Sequence, residues 1–316
     1  VKENCIPLSL KEYRLLIHLD EPFLGPNPAP EAKREKISII DDLLIHLETE
    51  SAVLNQIEEG FDFSSYELKR RKLYSLLTVR EPNPLPTWFH VKFGELLQRE
   101  LKEKQVVNAS RIPRITQSLP NSYYKAADHC ALWQGDITSL ECDTIVNAAN
   151  KGLLGCFRPF HRCIDNAIHS ATGPMLREDC NTIIKHQGCL EGTGWAKITR
   201  AYNLPSKFVL HTVGPIYDKL KGKILQIQKE ELSNCYKSCL NLARQIPSIR
   251  TVAFCCISTG AFGFPMETAT RIALKTVEDW IETNPNVFEL IIFNVFSKYD
   301  YEIYEKILKG ESFKNE

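Results

Sequence analysis

The sequence predicts an α/β fold built on a largely parallel central sheet, with a helical region ahead of it. Two observations carry that prediction. From about residue 126 onward, short β-branched runs alternate with helix-patterned segments, the arrangement that lays helices over a parallel sheet. Two of those runs, TVAFCCI and ELIIF, are apolar almost throughout, as strands buried on both faces are.

Taken in order, the chain starts helical. SLKEYRLLIHL, EKISIIDDLLIHLETESAVLNQIEEG and SYELKRRKLYSLLTV carry apolar residues at three- and four-residue spacing, which predicts amphipathic helices. EPNPLPTW, with its three prolines, interrupts the pattern, and VKFGELLQRELKEKQ resumes it. This stretch holds no glycine-rich loop, metal-ligand spacing or catalytic cluster. Residues 1–125 are therefore expected to form a helical extension packed on a main domain of residues 126–316. In that second part TIVNAA, KFVLHTVG, TVAFCCIS and ELIIFNVF read as strands, and WAKIT is strand-like. QIQKEELSNCYKSCLNLARQI, METATRIALKTVEDWIE and DYEIYEKILKG read as helices. Ligands of such folds bind at the carboxyl ends of the strands, so the loops there are the place to search.

Composition narrows the function. Lysine plus arginine equals aspartate plus glutamate at 39 each, so the zero net charge gives no general pull toward nucleic acid or an anionic membrane. An anionic ligand needs a local site. No apolar run approaches the length that spans a bilayer. The opening VKENCIPLSLKEYRLLIHL lacks the basic, apolar and small-residue segments of a signal peptide. Eleven cysteines, an odd number without a secretory signal, argue against a disulfide scaffold and for a reducing, cytoplasmic setting.

Three loops stand out. ISTGAFGFPMETA follows a strand and precedes a helix. Gly260 and Gly263 permit a tight turn, Pro265 suits a helix start, and the helix N-terminus offers N–H groups to a phosphate. A plain strand–helix turn is the competing reading; neither a Walker loop nor a GxGxxG fingerprint is present. In GDITSLECDTIVNAANKG, Asp136 either caps a turn or accepts a hydrogen bond from the exocyclic amine of a base. Asn147 and Asn150 either end a strand or bind sugar hydroxyls. In GTGWAKITRAYNLPSKFVLHTVGP, His211 closes a strand and reads as a structural histidine.

The loop GCFRPFHRC places Cys156, His161 and Cys163 in a C-x4-H-x-C spacing. Thiolates and imidazole are natural zinc ligands, and three protein ligands with an open fourth position is the catalytic pattern. Clustered core cysteines are the even-odds alternative, and Cys180 or Cys189 would have to fold back to close a structural site. A cysteine nucleophile is disfavoured, because the base of such a pair usually comes from elsewhere in the fold. Asp165 and His169 follow on one helix face. A carboxylate is also simply welcome near a helix N-terminus, and His169 is expected to face the core or a neighbouring loop.

Together GDIT, IVNAAN, IDNAIH, GTGWAKIT…LPSKFVLHTVGP and ISTGAFGFP, in that order over about residues 130–310, resemble the macrodomain family, which binds ADP-ribose. MacroD-type members carry a glycine-rich run where this chain has LLGCFRPFHRC. That departure resembles the zinc-dependent branch, protein-ADP-ribose hydrolases of bacteria and fungi, some associated with a sirtuin-like ADP-ribosyltransferase and a lipoyl-carrier protein. The extension with its EPNPLP turn resembles that branch too.

The resemblance implies a mixed, mostly parallel sheet between helices in three layers. It implies one Zn2+ ion on Cys156, His161 and Cys163. It implies that Asp136 binds the adenine amine, with the Ile137 backbone nearby and Phe296 stacked on the base. Ser258, Thr259, Gly260, Ala261, Phe262 and Gly263 would cradle the diphosphate; many relatives have tyrosine at the position of Phe262. Asn150 would reach the distal ribose, and Asp165 stands where MacroD-type relatives have a catalytic acid. Two function classes follow. One is a zinc-dependent hydrolase that frees ADP-ribose from mono-ADP-ribosylated protein; the other is a reader that binds ADP-ribose around a structural zinc. No membrane partner is implied. Nucleic acid is not indicated, although ADP-ribosylated ends remain open as substrates.

Overall fold

The computed structural model describes residues 6–26, 33–50, 65–218, 220 and 222–311. The elements run α1 (Leu10–Tyr13), α2 (Lys33–Glu50), α3 (Tyr66–Val79), α4 (Thr87–Lys102), β1 (Val107–Asn108), α5 (Ile115–Ser118), β2 (Cys130–Gln134), β3 (Leu140–Glu141) and β4 (Thr144–Ala149). They continue with α6 (Ile164–Thr172), α7 (Pro174–Gln187), β5 (Ala196–Arg200), β6 (Phe208–Val213), α8 (Gln226–Ala243), β7 (Thr251–Phe254), α9 (Met266–Thr283), β8 (Leu290–Val295) and α10 (Lys298–Leu308).

Six strands form one sheet in the order β2-β8-β7-β4-β6-β5. All neighbours are parallel except β5, which runs antiparallel to β6 at the edge. The expected mixed, mostly parallel sheet flanked by helices is the observed one. Its inner strands are buried nearly end to end: every residue of β8 is buried, as are five of the six in β4. That is why they read as continuous apolar runs rather than alternating ones. Helix α9 buries Ala269, Ala273, Val277 and Trp280, one stripe at three- and four-residue spacing. Proline opens α7 at Pro174, and Gly188, in the left-handed region, closes it.

The amino-terminal ends of three strands meet at Asp143. Its carboxylate accepts from the backbone N–H groups of Arg250 and Thr251, both at 2.9 Å, and from Lys207 Nζ at 2.7 Å. Burial opposes ionisation, but these donors hold its carboxyl below the usual range.

Three core clusters exist among the described residues, the smallest being Ala149, Leu153, Cys180 and Val213. Leu43, Leu47, Leu73, Phe89 and Leu96 pack α2, α3 and α4 on one another. Leu10, Tyr13, Ile17 and Leu19, by contrast, join the core of the sheet. The predicted helix SLKEYRLLIHL is therefore one turn followed by turns, with His18 at φ 51°. Its apolar residues dock on the sheet, and the Tyr13 hydroxyl accepts from Ile198 N at 3.0 Å, covering part of the β5 edge. The predicted helix starting at EKISII is observed as α2 to Glu50; its remainder lies outside the described residues.

Candidate functional site

Four neighbouring strands, β2, β8, β7 and β4, end in loops that lie in a row across roughly 14 Å of sheet edge, three strand spacings. The first two are tied together: Gly135 N donates to Val295 O at 3.0 Å and Asn294 Nδ2 to Gly135 O at 2.9 Å. Asp136 caps the turn after β2, its Oδ1 accepting from Thr138 N at 2.9 Å and Thr138 Oγ1 at 2.7 Å. Its side chain keeps 46 % of its exposure, while Ile137 is buried. Phe296, directly after β8, is 78 % exposed.

The loop after β7 is bent around two left-handed residues, Ser258 at φ 66° and Gly263 at φ 67°. Ser258 is buried, and its hydroxyl has no hydrogen-bond partner. The backbone at Gly214 comes so close that a Cβ there would lie 1.9 Å from Ser258 Oγ, so only glycine fits. Thr259 Oγ1 donates to Cys256 O, Gly260 faces open space, and Phe262 O accepts from Tyr217 N.

After β4, Asn150 Nδ2 donates to Gly155 O at 2.9 Å and approaches Asp165 Oδ2 at 3.4 Å. Asn147 Nδ2 donates to Asp165 Oδ1 at 2.8 Å. Asp165 is buried in the first turn of α6. Burial raises its pKa to about 6, against the hydrogen bond from Asn147 and the Arg177 charge, which pull it down. His169 Nε2 lies 3.5 Å from Asp165 Oδ1. Burial first, then the neighbouring Arg177 and His211, keep its imidazole well below its ordinary pKa, hence neutral. Gly155, at φ 83°, would drive a Cβ to 2.9 Å from the His169 ring.

The donor atoms of Cys156, His161 and Cys163 lie within 4.8 Å of one another, all three half-buried. Cys156 Sγ and His161 Nδ1 are 3.5 Å apart. Donors held at about 2.0–2.3 Å by a tetrahedral ion lie roughly that far from each other, so the three fit a metal with a position to spare. A fourth protein ligand is not supplied by the cysteines considered from sequence. Cys180 is buried with its sulfur 3.8 Å from His211 Nε2, and Cys189 is disulfide-bonded. A nucleophile fits less well, since burial pushes the Cys163 thiol up to about 12.

Residues 146–273 match the Macro domain family profile. A protein-ADP-ribose hydrolase of Treponema medium is 43% identical over 236 residues, covering 75% of this chain and 86% of the relative. The chain belongs to the macrodomain family. A protein-ADP-ribose hydrolase of Staphylococcus aureus is 49% identical over 58% of this chain and 68% of its own length. Among solved structures, a Trypanosoma brucei macrodomain in complex with ADP-ribose superposes with TM-score 0.56 at 28% identity, covering 74% of this chain and 94% of that one. An Oceanobacillus iheyensis macrodomain with ADP gives 0.51 at 36% identity, covering 58% and 92%.

Within this macrodomain Asp136, Ile137, Asn150, Ser258 to Gly263 and Phe296 lie at the carboxyl ends of β2, β8, β7 and β4, and Cys156, His161, Cys163 and Asp165 in the loop and helix that follow β4. His211 is structural: buried, 2.9 Å from Thr199 Oγ1, its pKa lowered by burial to about 3. Two residues take roles that the sequence does not assign. Asn147, read as a strand end or a binder of sugar hydroxyls, donates to Asp165. Arg177, in α7, carries no expectation from the sequence; it is buried, and its charge acts on both Asp165 and His169. No local sequence signal marks it, because its partners are distant in the chain.

Proposed function

We propose that this chain is a zinc-dependent hydrolase that releases ADP-ribose from mono-ADP-ribosylated protein by cleaving at the distal ribose. The observation that carries this reading is the junction after β4, where Asn150 links Gly155, the first residue of the metal-binding loop, to Asp165. A macrodomain that only binds its ligand has no need of a half-buried Cys-His-Cys group beside a buried carboxylate.

The loops run along the sheet edge in an order that suits the ligand. The base would meet Asp136, as acceptor of its amine, and the Phe296 ring; Ile137 would offer its backbone. The loop of Ser258, Thr259, Gly260, Ala261, Phe262 and Gly263 would cradle the diphosphate at the α9 side. The distal ribose would then fall at Asn150. The bond cleaved joins its anomeric carbon to a protein side chain, with oxocarbenium-like character as it breaks.

Cys156, His161 and Cys163 would hold the zinc, which when bound supplies Lewis acidity and a water acidified to a pKa near 7. Asp165 would take or orient the proton of the attacking water, with Asn147 and Asn150 fixing its carboxylate. Neutral His169 packs behind it and accepts no competing charge.

The test is release of ADP-ribose from a modified protein, with and without chelator, by wild type and Cys163→Ala. Loss of at least about a hundredfold in both arms is expected, restored by zinc in the wild type only. Full activity after verified metal removal would sink the zinc role. Absence of turnover on every linkage by zinc-loaded protein would make the chain a reader.

A further inference from the structure

Two phenylalanines sit among the three ligands: Phe157 directly after Cys156 and Phe160 directly before His161. Neither is buried; they keep 37% and 44% of their exposure. Phe160 is also at φ 59°, a region that bulky side chains avoid unless their surroundings hold them there. Asn166 of α6 supports the loop backbone from within, donating to Arg158 O at 3.0 Å and His161 O at 3.1 Å. The phenylalanine rings, however, are held from the outer side, Phe160 by α3 itself and Phe157 through Arg177 of α7, which α3 anchors.

Tyr74 of α3 lies against Phe160, ring centroids 5.4 Å apart and tilted by 31°. The Arg71 guanidinium sits over the same ring at 4.3 Å. Phe157 lies under the Arg177 guanidinium at 4.7 Å. Arg177 in turn is fixed by the end of α3: it donates to Leu77 O at 2.9 Å, Arg80 O at 2.6 Å and Thr78 O at 3.2 Å. Carbonyls at a helix end lack partners within their own helix, so this cation satisfies them while its face stays on Phe157. Beside these contacts a cavity of about 560 Å³, lined by Arg70, Tyr74, Phe160 and Ser170 among others, opens between α3 and α6. The helical bundle therefore reaches the loop through a few side chains.

We propose that the bundle is the outer support of the metal-binding loop, with Tyr74 and Arg177 as positioning residues that keep Cys156, His161 and Cys163 converged. This rests on the reading that those three hold zinc. Both grips bracket the ligands: Arg177 acts on the Cys156 side and Tyr74 on the His161 side. Side chains that orient the ligands of a metal in this way typically govern its affinity by about 10–100-fold. The Tyr74 contact uses the ring face, so its hydroxyl is dispensable.

The test uses the full chain and two readouts apart from activity: zinc affinity by competition with a chromophoric chelator, and the visible spectrum of the cobalt-substituted protein, which reports ligand geometry. Tyr74→Leu is expected to weaken zinc binding about tenfold and alter the cobalt spectrum, whereas Tyr74→Phe keeps both at wild-type values. Phe160→Leu should weaken binding equally and add nothing on top of Tyr74→Leu, the mark of one shared contact. Arg177→Lys keeps the charge but cannot span three carbonyls, and should weaken binding as well. If Tyr74→Leu does not fold, Phe160→Leu, in an exposed loop, answers the same question. Wild-type protein that takes up no zinc would overturn the functional reading together with this one. Zinc uptake by the wild type, with unchanged affinity and spectrum in Phe160→Leu and Arg177→Lys, would overturn this inference alone.

Discussion

Asp143 and Asp165 stand at opposite ends of the central sheet and are held on different terms. At the amino-terminal end the Asp143 carboxylate meets a donor in every direction: two backbone N–H groups, the Thr251 hydroxyl at 3.0 Å and Lys207. At the carboxyl end polar atoms are buried without a hydrogen bond, among them Ser258 Oγ, Asn147 Oδ1 and both ring nitrogens of His169, whose Nε2 only approaches Asp165 at 3.5 Å. Leu153, Phe160 and Ser258 there are left-handed without being glycine, as Tyr202 and Asn286 are at the opposite end. Buried polar groups ordinarily find partners, and each exception calls for a reason. The difference teaches that Asp143 is satisfied within the fold, while the groups around Asp165 and Ser258 keep open hydrogen-bonding capacity for a ligand to take up.

The sharpest way to break that comparison is at Asp165. Asp165→Asn keeps an oxygen for Asn147 to donate to, so the unfolding temperature should stay near wild type. A group that moves a proton in the reaction typically contributes about 10²–10⁴-fold, and hydrolysis should fall by that much. Wild-type turnover in this variant would remove Asp165 from the reaction. A collapse of stability would make it part of the frame, like Asp143.

Asp143→Ala should do the reverse. It leaves the N–H groups of Arg250 and Thr251 and the Thr251 hydroxyl without their acceptor, at a cost of about 3 kcal/mol. ADP-ribose affinity, read by calorimetry on the folded variant, should not change. The pH dependence has a definite sign. Asp143 has a folded pKa below its ordinary 3.8, so its stabilisation is full above that value and is lost as pH falls through the folded pKa. The stability gap between wild type and Asp143→Asn should therefore be widest near neutral pH and close on acidification below about 4. A gap independent of pH would mean that charge is not what Asp143 contributes.

The same contrast governs what the sequence made legible. The strands from Thr144, Phe208, Thr251 and Leu290 announced themselves, because burial on both faces forces apolar runs. The Cys156, His161 and Cys163 group was legible because its ligands are close in sequence. Arg177 was not: its meaning depends on Leu77, Thr78 and Arg80, about a hundred residues earlier. Helical periodicity misled at SLKEYRLLIHL, because the apolar residues that would line a helix there instead follow the contour of the sheet core. Local pattern is a weak prior wherever tertiary contacts set the backbone.

The gentlest probe of the carboxyl end is Phe296. With 78% of its surface exposed, it contributes little to the core, so Phe296→Ala should leave the unfolding temperature unchanged. A large exposed aromatic beside the tied loops of β2 and β8 makes sense as a platform for a base, and base–aromatic stacking is worth about 1–3 kcal/mol. ADP-ribose affinity should fall about tenfold, and Phe296→Tyr or Phe296→Trp should restore it, since either ring offers the same face. If ribose-5-phosphate binding falls in step with ADP-ribose binding, the ring is acting on the site as a whole and not on the base. Loss confined to ADP-ribose would place the adenine at the β2–β8 end of the row, and so fix the direction in which the ligand lies toward Asp165.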